Sequence, residues 1–432
     1  MVGIAPNLQA SLFELTMSFS DAMDLVSPEV VDHHKKVAYI AGELGREYGL
    51  DVDKTKDLVI AGLLHDSGAL SLRERLDALS FEAKAPHRHA EMGYRLFKNF
   101  KPLKQVAKAI RYHHVAWNRQ EEIKKQTGEE VPIESHIIHL ADRISVLVNR
   151  DKTMLNGYDR QKITARVVKE KGELFSPELV EVFQQIAERE YFWLDITYPG
   201  LGERLLAKNY QSKIDLTITE LVELAEVFRH LIDFKSSFTA THSSGVAATA
   251  KELAAKTGFS QLECDLMDIA GSLHDLGKLA VPNKILDKPE KLTEEEYDII
   301  KNHTYYTYRS LERIPQLDLV NQWASLHHER LDGKGYPFKY SEYNLPLGSK
   351  IMAVADVFTA ITENRPYRKK MPDEKVKRIL TEMGDTKKMD KYIIDVLIQN
   401  FEHFNYLRDS AQQISQQRFK AYNEHAENAS EI

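Results

Sequence analysis

Ile60-Ala61-Gly62-Leu63-Leu64-His65-Asp66 and Ile269-Ala270-Gly271-Ser272-Leu273-His274-Asp275 differ at one position in seven. Outward from these two His-Asp pairs the chain repeats itself. His33, His65-Asp66, His89, His113-His114 and Asp142 in the first half are matched by His242, His274-Asp275, His303, His327-His328 and Asp356 in the second. The intervals run 32, 24, 24 and 28 residues in the first set and 32, 29, 24 and 28 in the second, so a single five-residue insertion separates them. Tyr94-Arg95 follows His89 as Tyr308-Arg309 follows His303, and Ala141-Asp142 matches Ala355-Asp356. Histidines placed for unrelated structural reasons would share no such offset. Ten of the 17 histidines fall into the two sets, and neutral imidazoles mixed with carboxylates are ligands of catalytic first-row metals. The sequence reads as two metal-site domains in tandem, 1–205 and 206–432.

Composition agrees with that division. A chain of 432 residues, 43% hydrophobic and 28% charged, is long enough for two domains with sizeable cores. The single cysteine, Cys264, excludes an intrachain disulfide, and the first thirty residues lack the charged start and apolar stretch of a signal peptide. A cytoplasmic protein is expected. No apolar run reaches the roughly 18–20 residues needed to cross a bilayer, so membrane insertion is not expected. A net charge of −7 without long basic runs argues against polymeric nucleic acid as a partner. A small phosphorylated ligand stays open, because a metal site and a few lysines supply positive charge locally. Oligomeric state is not legible here.

Patterning is mostly helical and strand signals are sparse. Leu262, Leu266, Ile269, Ala270 and Leu273 form one apolar stripe whose helix delivers His274-Asp275 at its C-terminal end. Gly277 is expected to give the backbone freedom for a sharp turn after it. Ser176-Pro177-Glu178 and the capping box Thr293 to Glu296 read as helix starts. Residues 214–235 form a long amphipathic helix with Leu221, Leu224, Ala225, Phe228, Leu231 and Ile232 on its apolar side, read as a packed inter-domain helix. The glutamine-rich tail from 409 is expected to fray.

The second half closely resembles the HD-GYP branch of the HD metal-dependent phosphohydrolases, from about His242 to Arg368. The motifs that carry the resemblance are His274-Asp275-Leu276-Gly277-Lys278, then His327-His328-Glu329-Arg330-Leu331-Asp332-Gly333-Lys334-Gly335-Tyr336-Pro337, then Asp356-Val357-Phe358 and Arg365-Pro366-Tyr367-Arg368. The resemblance implies an all-α fold of two tandem HD-type domains, the second an HD-GYP domain. It also implies hydrolysis of cyclic dinucleotides, mainly cyclic di-GMP, at a centre of two or three iron or manganese ions. By the same resemblance His242, His274, Asp275 and Asp356 would hold one metal, and Asp275, His303, His327 and His328 the other. Two metals about 3.5–4 Å apart share a hydroxide and stabilise charge on a phosphodiester. Asp275 would be central, and Lys278 is the candidate cation for a phosphate oxygen.

The segment 333–337 is too glycine-rich for a helix. On its residues alone it reads as a plain inter-helix turn; the resemblance implies a loop that puts Gly335 and Tyr336 near the substrate or a signalling protein partner. Arg365 and Arg368 contact phosphate or guanine, or pair with acids; both readings stay open. Three-metal relatives carry a glutamate four residues before the first histidine ligand, where this chain has Phe238, so two metals are expected. Thr307 and Thr359 replace a usual glycine and aspartate and are expected to alter pocket shape.

The first half keeps the ligand pattern, with Glu29 four residues before His33, but has Ala69 where the second copy has Lys278 and no Gly-Tyr-Pro loop after His113-His114. It resembles a plain HD domain with a second metal site at His33, His65, Asp66, His89, His113, His114 and Asp142. Regulatory module, second phosphohydrolase and inert packing partner remain as readings, inert packing being the weakest. His34 and His87 fit the repeat less well and read as surface residues. A plain HD domain followed by HD-GYP resembles bacterial 3′,3′-cyclic GMP-AMP phosphodiesterases, which puts that substrate ahead of cyclic di-GMP on architecture alone. The rivals are a cyclic dinucleotide receptor without turnover and a nucleotide phosphomonoesterase centred on the first domain.

Overall fold

The computed structural model describes residues 8–25, 31–69, 72–79, 81, 86–148, 155–208, 215–235, 241–363 and 370–428. Twenty-two α-helices fall among these residues, and strand is confined to Ala10–Ser11 and Asp215–Leu216. The protein is all-α. It divides into two compact units, Ser11–Asp215 with Tyr422–Ile432, and Met1–Ala10 with Leu216–Ala421. No helix among the described residues is long and apolar enough to cross a membrane.

The same frame is built twice. In the first unit His33–Tyr48 packs against Val52–Leu64 and Ile133–Leu147; in the second His242–Lys256 packs against Gln261–Leu273 and Leu347–Thr362. Leu44, Leu58, Ile60 and Ile144 are fully buried in the first, and Leu253, Met352, Ile351 and Val354 in the second. Each such side chain contributes roughly 1.5–3 kcal/mol. Glycine sets the distance between the first two helices of each frame. A Cβ on Gly62 would lie 2.6 Å from Ala38 Cα, and one on Gly271 would lie 2.6 Å from Ala247 Cα.

Helix ends follow local chemistry. Asp51 accepts from the Lys54 amide at 2.8 Å. Ser260 and Glu263 form a capping box that starts the helix ending at His274, and Thr293 with Glu296 does the same for Glu294–Leu311. Pro177 begins Pro177–Ala187 as expected, but the Ser176 side chain makes no cap bond. The expected helix over 214–235 is Ile218–Phe234, because the Thr217–Glu220 capping box fixes its start. Its apolar face packs on Gln261–Leu273. The tail does not fray at 409: Phe401–Asn428 is one helix. Glutamine and glutamate suit a helix, and Arg408, Ser415 and Tyr422 bury at seven-residue spacing.

The turn after each His-Asp pair needs glycine for a reason other than the one expected. Gly277 does not adopt a positive φ. Instead a Cβ there would lie 1.9 Å from the His303 carbonyl oxygen, and one on Gly68 would lie 2.0 Å from that of His89. The Thr307 hydroxyl locks the same contact, accepting from Gly277 N at 2.9 Å and donating to His274 O at 3.0 Å. Gly277→Ala should push Glu294–Leu311 away from the His-Asp turn and cost at least about 1–3 kcal/mol. Thermal unfolding should show the loss, and an unchanged Tm would refute the constraint.

Candidate metal centres

In the second unit the predicted ligands converge from the ends of several helices. His242 opens His242–Lys256, His274 closes Gln261–Leu273, His303 lies on Glu294–Leu311, His327-His328 follow Asp318–Ser325, and Asp356 lies on Leu347–Thr362. Their ligand atoms form three overlapping groups: His242, His274 and Asp356; His274, Asp275 and His327; and His303, His327 and His328. Asp275 joins them. Its Oδ2 lies 3.3 Å from His274 Nε2, and its Oδ1 lies 3.4 Å from His303 Nε2. Asp356 Oδ1 lies 3.0 Å from His242 Nε2.

The imidazoles are oriented by groups behind them. Nδ1 donates to the carbonyl three residues back in His274 (Gly271, 2.8 Å), His303 (Ile300, 2.7 Å) and His327 (Ala324, 2.6 Å). A carbonyl only accepts, so the proton sits on Nδ1 and the Nε2 lone pair faces inward. Burial pushes His303 down to about 3 and His327 well below the usual imidazole range, which keeps both neutral. Their two Nε2 atoms are 3.4 Å apart. Two facing lone pairs repel unless a cation lies between them, and His274 Nε2 is buried without a hydrogen-bond partner. The donor set therefore fits divalent metal.

Charge is tuned locally. Burial raises the Asp275 carboxyl, but His274 and Lys278 outweigh it and hold the group well below the usual carboxylate range. Lys278 Nζ donates to Asp275 Oδ2 at 2.6 Å. Burial lowers His242, but Glu363 and Asp356 overcome it and push it up to about 10.

The first unit repeats this centre. Its ligand atoms group as His33, His65 and Asp66, and as Asp66, His89, His113 and His114. Asp66 Oδ1 lies 3.1 Å from His89 Nε2 and Oδ2 lies 3.4 Å from His65 Nε2. Asp142 Oδ1 lies 3.3 Å from His33 Nε2. His65 and His113 donate Nδ1 to Gly62 O at 2.8 Å and Ile110 O at 2.6 Å. The Nε2 atoms of His33, His65 and His113 are buried without hydrogen-bond partners.

A family model described as HD domain matches residues 30–147, and a second model of the same description matches 226–393. The chain is a tandem HD-domain protein. HD domains are metal-dependent phosphohydrolases. The chain is 29% identical to the 3′3′-cGAMP-specific phosphodiesterase 1 of Vibrio cholerae serotype O1, over 89% of this chain and 91% of the relative. It is 26% identical to phosphodiesterase 3 of the same name and organism, over 86% and 90%. A cyclic di-GMP phosphodiesterase of Thermotoga maritima is 38% identical over 37% of this chain and 44% of the relative. The crystal structure of a cyclic GMP-AMP specific phosphodiesterase of V. cholerae, V-cGAP3, shares the fold at a TM-score of 0.63 and 23% identity, covering 94% of this chain and 98% of that one.

The two HD domains differ where charge matters. Ala69, fully buried, stands at the place of Lys278. Arg143 stands where the second HD domain has Val357, and its Nε donates to Asp142 Oδ2 at 3.1 Å. The Gly-Tyr-Pro loop of the second HD domain closes on its centre. The Glu329 carboxylate accepts from Phe338 N at 2.7 Å and Tyr340 N at 3.0 Å, and the Tyr336 ring lies 4.9 Å from that of His328. A Cβ on Gly335 would lie 2.5 Å from Glu329 Cα, so this glycine is required by the loop itself. Thr359 is buried, with its Cγ2 2.9 Å from the place a Gly245 Cβ would take. Arg365, Arg368, Phe238 and Glu29 lie outside the described residues.

Two sequence expectations fail. His34 is buried, not a surface residue, and pairs with Asp24; His87 is half-buried. The corresponding pair in the second HD domain is Ser243 donating to Asp233 at 2.5 Å. The signal was present, since Asp24 and Asp233 each precede the first histidine ligand by nine residues. Glu363 was also missed. Its carboxylate oxygens both lie 3.2 Å from His242 Nδ1. Asp66→Ala and Asp275→Ala should each release the metal of its own HD domain only, read by elemental analysis of loaded protein. Loss of all metal in either variant would mean one shared site.

Proposed function

We propose that this protein is a metal-dependent phosphodiesterase that opens a cyclic dinucleotide, 3′,3′-cyclic GMP-AMP ahead of cyclic di-GMP, to the linear 5′-phosphorylated dinucleotide. Chemistry belongs to the C-terminal HD domain. The observation that carries the reading is Asp275, whose two oxygens face His274 and His303 while Lys278 donates to one of them. Relatives named as 3′3′-cGAMP-specific phosphodiesterases and matched along almost the whole chain support the substrate.

Two divalent ions, iron or manganese, suit a mixed imidazole and carboxylate set. His242, His274, Asp275 and Asp356 would hold one, and Asp275, His303, His327 and His328 the other. When bound, they supply a nucleophile from water near neutral pH and stabilise charge on phosphorus. The chain's own residues do the rest. The Lys278 side chain is 19% exposed, so its ammonium meets a phosphate oxygen at the edge of the buried cluster. Glu363 and the carbonyls of Gly271, Ile300 and Ala324 hold the rings in place. Water adds to one phosphorus, its P–O3′ bond breaks, and the 3′ oxygen leaves as a hydroxyl.

The N-terminal HD domain is read as a regulatory module or a second phosphohydrolase with its own metal. Its gathered ligands support either role, and Arg143 on Asp142 together with Ala69 gives it a different charge pattern. Asp275→Ala should abolish formation of linear dinucleotide, whereas Asp66→Ala should retain it. Lys278→Ala should keep its metal yet lose roughly 10²–10³ in kcat. Product chromatography checks all three. Binding without product in any metal state would make the protein a receptor; activity that survives Asp275→Ala and disappears with Asp66→Ala would move catalysis to the first HD domain.

A further inference from the structure

Lys235 follows directly on Ile218–Phe234 and is 5% exposed. An ammonium at that depth is tolerated only where acceptors meet it. Two of them are backbone carbonyls: Nζ donates to Lys278 O at 3.0 Å and to Leu279 O. Both carbonyls belong to the 3₁₀ turn Leu276–Ala280, which packs against Ile218–Phe234 and carries the candidate phosphate-binding cation. Carbonyls at the end of a helical turn lack partners inside it, and a lysine is suited to supply one.

The backbone of Lys278 is thereby held on both sides. Its N–H donates to Asp275 O at 2.8 Å, and its carbonyl accepts from Val281 N at 3.0 Å as well as from Lys235. Asn283, five residues on, closes the clasp, because its Nδ2 donates to Lys235 O at 2.7 Å. The Lys278 side chain itself reaches Asp275 Oδ2 at 2.6 Å. A lysine is a point charge on a flexible stem, so the place its ammonium can occupy is set by where its backbone is fixed. The first HD domain has neither lysine. Seven residues before His33, as Lys235 stands before His242, is Val26; four residues after His65, as Lys278 stands after His274, is Ala69.

We propose that Lys235 is a positioning residue for the hydrolytic step, fixing the turn from which Lys278 reaches the substrate phosphate. This rests on the phosphodiesterase reading above. Lys235 touches no reacting atom and acts through Lys278.

The test is a double-mutant cycle on the full metal-loaded chain. Single-turnover formation of linear dinucleotide from cyclic GMP-AMP is measured for wild type, Lys235→Met, Lys278→Ala and the two combined, with metal content and amide exchange over residues 275–281 in parallel. Lys235→Met keeps the length of the side chain and removes its charge and donors. It should slow product formation about 10- to 100-fold, the cost of a displaced catalytic group, with metal retained. In the Lys278→Ala background the same change should cost less than about twofold. Exchange over 275–281 should speed up while that of Glu294–Leu311 stays as in wild type. An unchanged rate in Lys235→Met overturns the proposal. So does a loss equally large with and without Lys278, because Lys235 would then only support the domain, and so does unaltered exchange over 275–281. Exchange alone decides where Lys278→Ala makes too little product to compare. If Lys235→Met does not fold, Asn283→Ala takes its place, with a smaller loss expected that again vanishes without Lys278. Wild type without turnover sinks the phosphodiesterase reading and leaves exchange to decide whether Lys235 holds the turn.

Discussion

Burying a carboxylate among imidazoles constrains everything around it. Asp275 is 1% exposed and Asp66 4%, and an ionised group at such depth is tolerated only when opposite charge surrounds it. The two oxygens of each carboxylate face histidine nitrogens from different helices, so those helices must converge. Convergence in turn demands small residues where backbones meet, which is what Gly62, Gly68, Gly271 and Gly277 supply. The tight first helix pair of each frame and the ligand cluster are therefore two sides of one constraint. Without metal such a site leaves facing lone pairs in a dry environment, which would couple metal binding to folding.

The two HD domains solve the same packing problem with different charge. In the second, Lys278 is a partly exposed cation that reaches Asp275 from the adjoining turn. In the first, alanine takes that place and a buried arginine approaches the far oxygen of Asp142 from its own helix. Arg143 is 2% exposed, so its charge is fixed in place, while the ammonium of Lys278 sits on a flexible stem. Fixed charge suits holding a geometry, and mobile charge suits meeting a substrate.

What was legible in the sequence was whatever repeats. The His-Asp pairs and their shared intervals gave the two sets of clustered residues, because groups presented near helix ends leave regular spacing; the all-α class came from mostly helical patterning together with the resemblance to HD-type domains. The capping box at Thr293 was equally local and appears in the structure. The misreadings arose where a residue's role depends on a distant partner. His34 looked superfluous because its partner Asp24 comes from the preceding helix. Gly277 was assigned a backbone role, yet its neighbour is the carbonyl of His303, 26 residues on. Glu363 gives no spacing signal in a single copy, and it faces His242 from 121 residues away. The glutamine-rich tail looked weak because its buried positions come only every seventh residue.

Four of the candidate ligand histidines, His65, His113, His274 and His327, sit just beyond a helix and donate Nδ1 to a carbonyl of its last turn. Those carbonyls have no partner within the helix, so each imidazole closes the helix that presents it. Fraying of one terminal turn would therefore release the ring and its metal bond together. The lifetime of any metal held there would then be a property of helix-end opening, and amide exchange in those last turns would set the pace at which ions exchange.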